Sequence, residues 1–258
     1  MEGITLENLS IGYKEPLISG LTLHMEEGEF WVVVGPNGSG KTTLIKTILG
    51  IVKPLSGRIL IHGKDCTDWC EERRFLSYVP QSEDYSHSFP STVFEVILSG
   101  LFPRLKRFKK IGRQEVKEVN RWIEALELSP IRDKKFNELS GGQQRKVLIA
   151  RALVSSPHYI FLDEPTTGVD LKSSRRILNL LDELHREKGF GICMVTHEIS
   201  SVWSYIDKVI LLGYNGKFFV GKKEELLNEE LLSEIYEVDV KIVQTEVGPI
   251  FLIWDKHE

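Results

Sequence analysis

An entirely apolar run, Phe30–Val34, leads directly into a glycine-rich segment at residues 35–42. A run that is apolar at every position is typical of a strand covered on both faces, because a half-exposed strand alternates apolar and polar residues. The next residues, 42–50, predict a helix that stops near Gly50, with Pro54 beyond it. The sequence therefore predicts a buried strand, a tight turn and a helix, a unit typical of folds with a mainly parallel sheet.

The glycine-rich segment reads Gly-Pro-Asn-Gly-Ser-Gly-Lys-Thr and matches the pattern G-x-x-x-x-G-K-[ST] in the required strand–helix context. Glycines let backbone amides turn inward around an anion, Lys41 adds a positive charge for phosphates, and the Thr42 hydroxyl can ligate Mg²⁺. Chance produces such a match in roughly one per cent of chains of this length, so a glycine turn without a ligand is the weaker alternative. The predicted phosphate-site residues are Gly35, Pro36, Asn37, Gly38, Ser39, Gly40, Lys41, Thr42 and Thr43.

Two adjacent carboxylates, Asp163 and Glu164, follow a second apolar run, Tyr-Ile-Phe-Leu. Ligands bind at the carboxyl ends of strands in open parallel sheets, so this position suits a catalytic pair. Asp163 is placed to hold Mg²⁺ and Glu164 to polarise an attacking water. Alone, such a pair is more often a helix cap or a solvated turn. The phosphate loop in the same chain favours the catalytic interpretation.

The pentapeptide Leu-Ser-Gly-Gly-Gln, residues 139–143, opens a predicted helix with a hydroxyl cap and two glycines, a second terminus suited to an anion. It resembles the signature of the ABC ATPases. Other positions are similar to the motifs of that family, in the same order, across residues 2–235. Gln81 resembles its Q-loop glutamine, His197 its switch histidine, residues 168–170 its D-loop, and Tyr13 the aromatic residue that stacks on adenine.

The resemblance implies an α/β fold: a P-loop NTPase core of the ABC ATPase type with a mainly parallel sheet, an N-terminal antiparallel β subdomain and an inserted α-helical subdomain. We predict an ATPase domain at residues 1–237, with the helical subdomain at about residues 82–155. Its first helix should begin with a capping box formed by Thr92 and Glu95. Strand patterns predict a C-terminal β-hairpin extension, residues 238–258, joined at Gly248 and Pro249.

For function, the resemblance implies an ATPase with the cofactors ATP and Mg²⁺. The implied catalytic residues are Glu164, His197, Gln81 and Lys41, and the implied metal ligands are Thr42, Gln81 and Asp163. Tyr13, the phosphate loop and the signature residues Ser140, Gly141, Gly142 and Gln143 would contact nucleotide. Two copies would sandwich ATP head to tail, on permease subunits in the membrane, with an extracytoplasmic substrate-binding protein as an indirect partner.

The composition and charge indicate which other partners and which cellular compartment to expect. The net charge of −4 gives no global attraction to nucleic acid, and we expect no nucleic-acid partner. The basic run at residues 104–113 favours a solvated loop, with lipid headgroups or a permease subunit as the next alternatives and nucleic acid last. No apolar run approaches the roughly 18 residues of a spanning helix, and residues 1–10 do not resemble a secretory signal. Three cysteines argue against a disulfide framework. We expect a cytoplasmic protein, peripheral on the inner face of the membrane.

The transported substrate is indicated only by finer resemblances. Residues 165–170, with Val169, and the stretches TVFEVILSGLFPRLKRF and LLNEELLSEIYEVDV resemble the ATPases of zinc and manganese importers. A metal-chelate importer of the iron-siderophore or cobalamin type is the alternative. A soluble ATPase of the iron–sulfur assembly type and a module that binds ATP without hydrolysing it are the other classes, and Glu164 with His197 argues against the last.

Overall fold

The structure is a computed structural model that describes residues 3–81, 91–104, 111–245 and 248–254. It contains two compact units, one formed by Met1–Arg73 with Gly191–Glu258 and the other by Arg74–Phe190, called here the first and second units. The strands are β1 (Ile4–Gly12), β2 (Pro16–Met25), β3 (Phe30–Val34), β4 (Ser56–Ile61), β5 (Lys64–Asp65), β6 (Leu76–Val79), β7 (Tyr159–Asp163), β8 (Gly191–Val195), β9 (Lys208–Leu212), β10 (Phe218–Lys222), β11 (Asp239–Thr245) and β12 (Gly248–Trp254).

The helices are α1 (Lys41–Ile48), α2 (Val93–Ser99), α3 (Arg113–Ala125), α4 (Gly141–Leu153), α5 (Leu171–Lys188), α6 (Ile199–Val202) and α7 (Glu229–Tyr236). Short 3₁₀ helices include Glu71–Phe75, Phe102–Arg104, Ser129–Ile131, Phe136–Glu138 and Lys223–Leu226. No helix within the described ranges is both long enough and apolar enough to cross a membrane.

The first unit contains an antiparallel sheet in the order β2-β1-β4-β5. The turn between β4 and β5 is formed by His62 and Gly63, which have φ values of 50° and 76°. Two positive φ angles in a two-residue turn match the right-handed twist of paired strands, so this hairpin closes tightly. The predicted N-terminal antiparallel β subdomain is therefore confirmed.

The same unit contains a parallel group in which β3 pairs with both β8 and β9. Strand β10 adds an antiparallel edge to β9. Every residue of β3 and β8 is buried, as their uninterrupted apolar sequences predict. The phosphate loop thus begins at the carboxyl end of a central buried strand, followed by α1.

The second unit pairs β6 with β7 in parallel and also contains helices α2 to α5, of which α4 packs on β6. The predicted capping box is confirmed: Thr92 caps α2, and its backbone amide donates to the Glu95 carboxylate at 2.8 Å. Helix α5 follows β7 and is the longest helix of the described part of this unit, with Asp170 as its N-cap and Gly189 as its C-cap. The domain bounds given above, including a helical subdomain at 82–155, stay a prediction, and residues 82–90 and 105–110 lie outside the described residues.

Two expectations from the sequence are wrong. The C-terminal strands β11 and β12 pair antiparallel, but Gly248 pairs with Thr245 and Pro249 with Gln244, so both residues belong to the second strand rather than to the turn. Strand register depends on the partner strand, which a glycine–proline pair does not reveal. Cys66 and Cys70 form a disulfide, although an odd count of three cysteines argued against one. Cys193 is free and buried in β8.

Candidate nucleotide-binding site

The phosphate loop bends sharply because of its glycines. Gly35, Gly38 and Gly40 have φ values of 154°, 82° and 98°, which side-chain-bearing residues rarely adopt. A Cβ atom on Gly35 would lie 2.1 Å from the carbonyl oxygen of Leu212 in β9. Position 35 therefore accepts only glycine without a backbone shift, and the loop is folded tightly against the sheet.

Lys41 is held inside this loop with 6% of its surface exposed. Its ammonium group donates hydrogen bonds to the carbonyl oxygens of Gly35 at 2.9 Å and Pro36 at 2.8 Å. Two backbone acceptors fix the long side chain, so the positive charge stays at the centre of the loop.

The residues at the start of α1 fit an anion such as the phosphates of ATP. Gly40 is the N-cap and makes no side-chain cap, and the first turn has no acidic residue in this fully described helix. The Ser39 hydroxyl is buried and has no hydrogen-bond partner among the described residues. The Ser39 hydroxyl and the backbone amides of the first helical turn, beside the buried Lys41 ammonium, complement a polyphosphate.

The second unit brings three of the predicted side chains together at the ends of β6 and β7. Asp163 is 1% exposed and accepts a hydrogen bond from the Tyr78 hydroxyl at 3.3 Å. Glu164 is half-buried, and its carboxylate accepts from the Gln81 amide at 2.9 Å and the Thr167 hydroxyl at 3.1 Å. Carboxylate and amide oxygens are ligands that suit Mg²⁺, so this group fits the cation that the family resemblance implies.

The signature residues lie at the exposed start of α4. Ser140 caps the helix: its hydroxyl accepts from the Gln143 amide at 3.4 Å, and its own amide donates to the Gln143 side chain at 3.1 Å. Gly141 and Gly142 form the first turn, with Gly141 exposed. Helix α4 therefore has a capped N-terminus whose exposed first turn presents backbone amides to an anion.

Tyr13 and His197 are both exposed in the first unit, Tyr13 with 69% of its surface accessible. Their contacts with nucleotide stay predictions. In the D-loop, Asp170 caps α5 by accepting from the Ser173 amide at 3.0 Å. Hydrogen bonds from the Ser173 side chain and backbone lower the pKa of Asp170, so this cap is an anion at neutral pH.

Three further side chains support the carboxylates and were not predicted from the sequence: Tyr78, Thr167 and Arg145. Arg145 donates to the backbone carbonyl oxygens of Pro80 and Glu164 at 2.8 and 3.0 Å. A signal for it exists, since Arg145 occupies the buried stripe of α4 with Leu148, Ile149 and Ala152. A cation in a stripe with spacing i, i+3, i+4 and i+7 needs polar partners.

Comparison with known proteins places this geometry in a family. The ABC transporter family model matches residues 18–167. The zinc uptake ATP-binding protein ZnuC of Bacillus subtilis is 37% identical over 214 residues, 82% of this chain and 91% of that protein. The manganese transport ATP-binding protein MntB of the same organism is 36% identical over 234 residues, 90% of this chain and 92% of that protein.

Solved structures agree with the sequence comparison. A chain assigned to the metal-chelate type of ABC transporter, in an inward-facing conformation, has a TM-score of 0.84 at 27% identity and covers 99% of both chains. A dimeric ATP-binding cassette bound to ADP and phosphate after hydrolysis has a TM-score of 0.73 at 30% identity, covering 85% of this chain and 98% of that one. The protein therefore belongs to the ABC transporter family and is one of its ATP-hydrolysing subunits.

Proposed function

We propose that this chain hydrolyses Mg²⁺-ATP to power the import of a metal ion, zinc or manganese, through separate permease subunits. The observation that carries the catalytic part is the hydrogen bond from Gln81 to Glu164 at the end of β7, beside the buried Asp163. The metal rests on the similarity to the zinc and manganese ATP-binding proteins reported above.

In this proposal, the phosphate loop binds the nucleotide. Lys41 places its charge against the β and γ phosphates, and the amides at the start of α1, with the Ser39 hydroxyl, donate to phosphate oxygens. The exposed ring of Tyr13 stacks on the adenine. Loop shape is fixed by glycines and by the two carbonyls that hold Lys41, so little ordering is needed when ATP binds.

Hydrolysis is assigned to the carboxylates. Thr42, Asp163 and Gln81 would hold Mg²⁺, which neutralises charge on the phosphates when bound. Glu164 accepts the proton of the attacking water, and Gln81 holds the Glu164 carboxylate in place through its amide. His197 donates toward the γ phosphate, where negative charge develops.

We also propose the assembly. A second copy would contribute the start of its α4, residues 140–143, to the same nucleotide, so that ATP joins the two copies and hydrolysis releases them. The dimer would dock on permease subunits at the inner, cytoplasmic face of the membrane. A substrate-binding protein outside the membrane would deliver the metal to the permease. Because each site would then need two chains, monomers would hydrolyse ATP slowly.

The enzymatic part is tested by measuring Mg²⁺-dependent phosphate release from purified protein. Lys41→Ala should lose both nucleotide binding and hydrolysis, whereas Glu164→Gln should keep binding and lose hydrolysis. Glu187→Gln, an exposed glutamate on α5, is the matched control and should behave as wild type. Full activity in Glu164→Gln would contradict the assignment of the base.

The transported substrate is tested in proteoliposomes that contain the chain with its permease. ATP-dependent uptake of radioactive zinc or manganese ions supports the proposal, and no uptake of either ion contradicts it.

Import of a metal chelate is the second candidate, favoured by the structural similarity to the metal-chelate type transporter over 99% of the chain. Uptake of an iron-siderophore complex, but not of free metal ions, would establish that alternative. Co-purification with soluble proteins only would instead favour the iron–sulfur assembly class.

A further inference from the structure

Arg145 is a buried cation on the helix that begins with the signature. It is 2% exposed and is among the largest fully buried side chains of the protein. Removing a guanidinium from water is costly unless its donors find acceptors. If α4 only had to pack on β6, an apolar residue would suffice at this position, so the arginine needs a specific explanation.

Its two terminal nitrogens bond the ends of two neighbouring strands. One donates to the Pro80 carbonyl oxygen at 2.8 Å and the other to the Glu164 carbonyl oxygen at 3.0 Å. Strands β6 and β7 run in parallel with Val79 opposite Leu162, so Pro80 and Glu164 lie at neighbouring strand ends, offset by one residue. The planar fork of a guanidinium matches two adjacent acceptors, which a lysine ammonium cannot span as rigidly.

Both bonded residues adjoin or belong to the proposed catalytic residues Gln81 and Glu164. Pro80 immediately precedes Gln81, and the Gln81 amide donates to the Glu164 carboxylate. Glu164 itself has a φ of 46°, a left-handed conformation that is uncommon outside glycine. Such a conformation persists only where surrounding contacts hold it. Its carbonyl oxygen is held from two sides, by Arg145 and by the Thr167 amide at 3.2 Å.

We propose that Arg145 is a positioning residue that fixes the backbone of Glu164 and the start of the Gln81 segment for hydrolysis. The inference rests on the proposed role of Glu164 as the base. Arg145 does not touch the reacting atoms; it acts through the two carbonyls. Because it lies five residues after Ser140 on α4, it also links the signature helix to the catalytic glutamate within one chain.

The consequence is a selective effect on turnover. A displacement of about 1 Å in a catalytic group can lower the rate by about a hundredfold. ATP binding rests on the phosphate loop of the first unit, so KM for ATP should change little. A purely structural role for Arg145 would instead lower the stability of the protein and leave kcat per folded molecule unchanged.

The test compares Arg145→Met, Arg145→Lys and the control Lys146→Met. Lys146 is the next residue on α4, and its ammonium bonds Leu126 and Glu127 rather than the catalytic segment. We expect kcat to fall about tenfold to a hundredfold in Arg145→Met, with KM within about twofold of wild type. Arg145→Lys should recover part of the loss through one carbonyl, and the control should keep wild-type kcat. A kcat within twofold of wild type in both Arg145 variants, corrected for folded fraction, would overturn the proposal.

A second readout does not depend on ATP hydrolysis. Hydrogen exchange of the Thr167 amide, which shares the Glu164 carbonyl with Arg145, should be faster in Arg145→Met and unchanged in Lys146→Met, without nucleotide. Unchanged exchange would contradict the proposal that Arg145 holds the Glu164 backbone. If wild-type protein has no Mg²⁺-dependent ATPase activity, the proposed function fails, but faster exchange in Arg145→Met would still show that Arg145 holds this backbone. If Arg145→Met does not fold, both measurements are made on Arg145→Lys.

Discussion

Replacing Gly35 by alanine tests whether the phosphate loop is fixed by a backbone contact. Gly35 has a φ of 154°, and a Cβ there would lie 2.1 Å from the Leu212 carbonyl oxygen and 2.8 Å from the Ser39 hydroxyl. Ordinary van der Waals contact begins at 3.4 Å, so the Leu212 contact is about 1.3 Å too short. Leu212 ends β9, which pairs with β3 from Lys208 to Leu211 and with β10 at Leu212, so its carbonyl cannot rotate away as a flexible side chain could.

The cost has two parts. Forcing a side-chain-bearing residue into an unfavourable φ costs about 1–3 kcal/mol, and shifting a packed backbone costs about 1–3 kcal/mol more. We therefore expect Gly35→Ala to lower the free energy of unfolding by about 2–6 kcal/mol. Gly189→Ala is the matched control: Gly189 has a φ of 71°, but a Cβ there meets nothing within 4 Å. That variant should lose only about 1–2 kcal/mol.

Urea unfolding followed by circular dichroism measures both free energies, and titration with a fluorescent ATP analogue measures binding. Gly35→Ala should also bind nucleotide at least about tenfold more weakly, because relief of the contact must move the loop or β9. Gly189, at the end of α5, lies outside the binding residues and its variant should bind as wild type does. Equal destabilisation of the two variants, with normal binding in Gly35→Ala, would refute the backbone-contact argument.

Three other predictions follow from the site, the core and the disulfide. Glu164→Gln with Mg²⁺ and ATP should elute as a dimer in size-exclusion chromatography, because bound ATP is not consumed; a monomer would contradict the proposed sandwich. Burial raises the pKa of Tyr236 to about 12 from 10. As the pH rises, this tyrosine therefore loses its proton in the unfolded chain before it does so in the folded protein, and the free energy of unfolding should fall between pH 10 and 12 by up to about 2.5 kcal/mol. Urea unfolding of Tyr236→Phe should lack that fall, and an equal loss in both proteins would exclude Tyr236 as its cause. Thiol titration of denatured, unreduced protein should find one free thiol, Cys193, and three after reduction; three before reduction would exclude the Cys66–Cys70 disulfide.

The elements that the sequence predicts correctly are those determined by the residue pattern within the element itself. The burial of β3 follows from its uninterrupted apolar residues, and the cap of α2 follows from a threonine three residues before a glutamate. The positions that were mispredicted depend on a pairing that their residue types do not reveal. Gly248 and Pro249 are residue types typical of a turn, but pairing with β11 places them in β12. Cys66 pairs with Cys70 because the chain after β5 brings the two together.

The same distinction explains why the proposed catalytic residues could be predicted from the sequence and the residues that hold them could not. Asp163 and Glu164 are recognisable because the proposed chemistry requires carboxylates at the end of a buried strand. Arg145 and Tyr78 instead hold those groups by donating hydrogen bonds to oxygen atoms at the strand ends, a role that has no short motif in the sequence. Such residues are visible in sequence only as exceptions, for example a cation within an apolar helical stripe. An arginine at that position in α4 is therefore informative because it breaks the pattern, and the oxygen atoms that it bonds show which part of the site needed to be held.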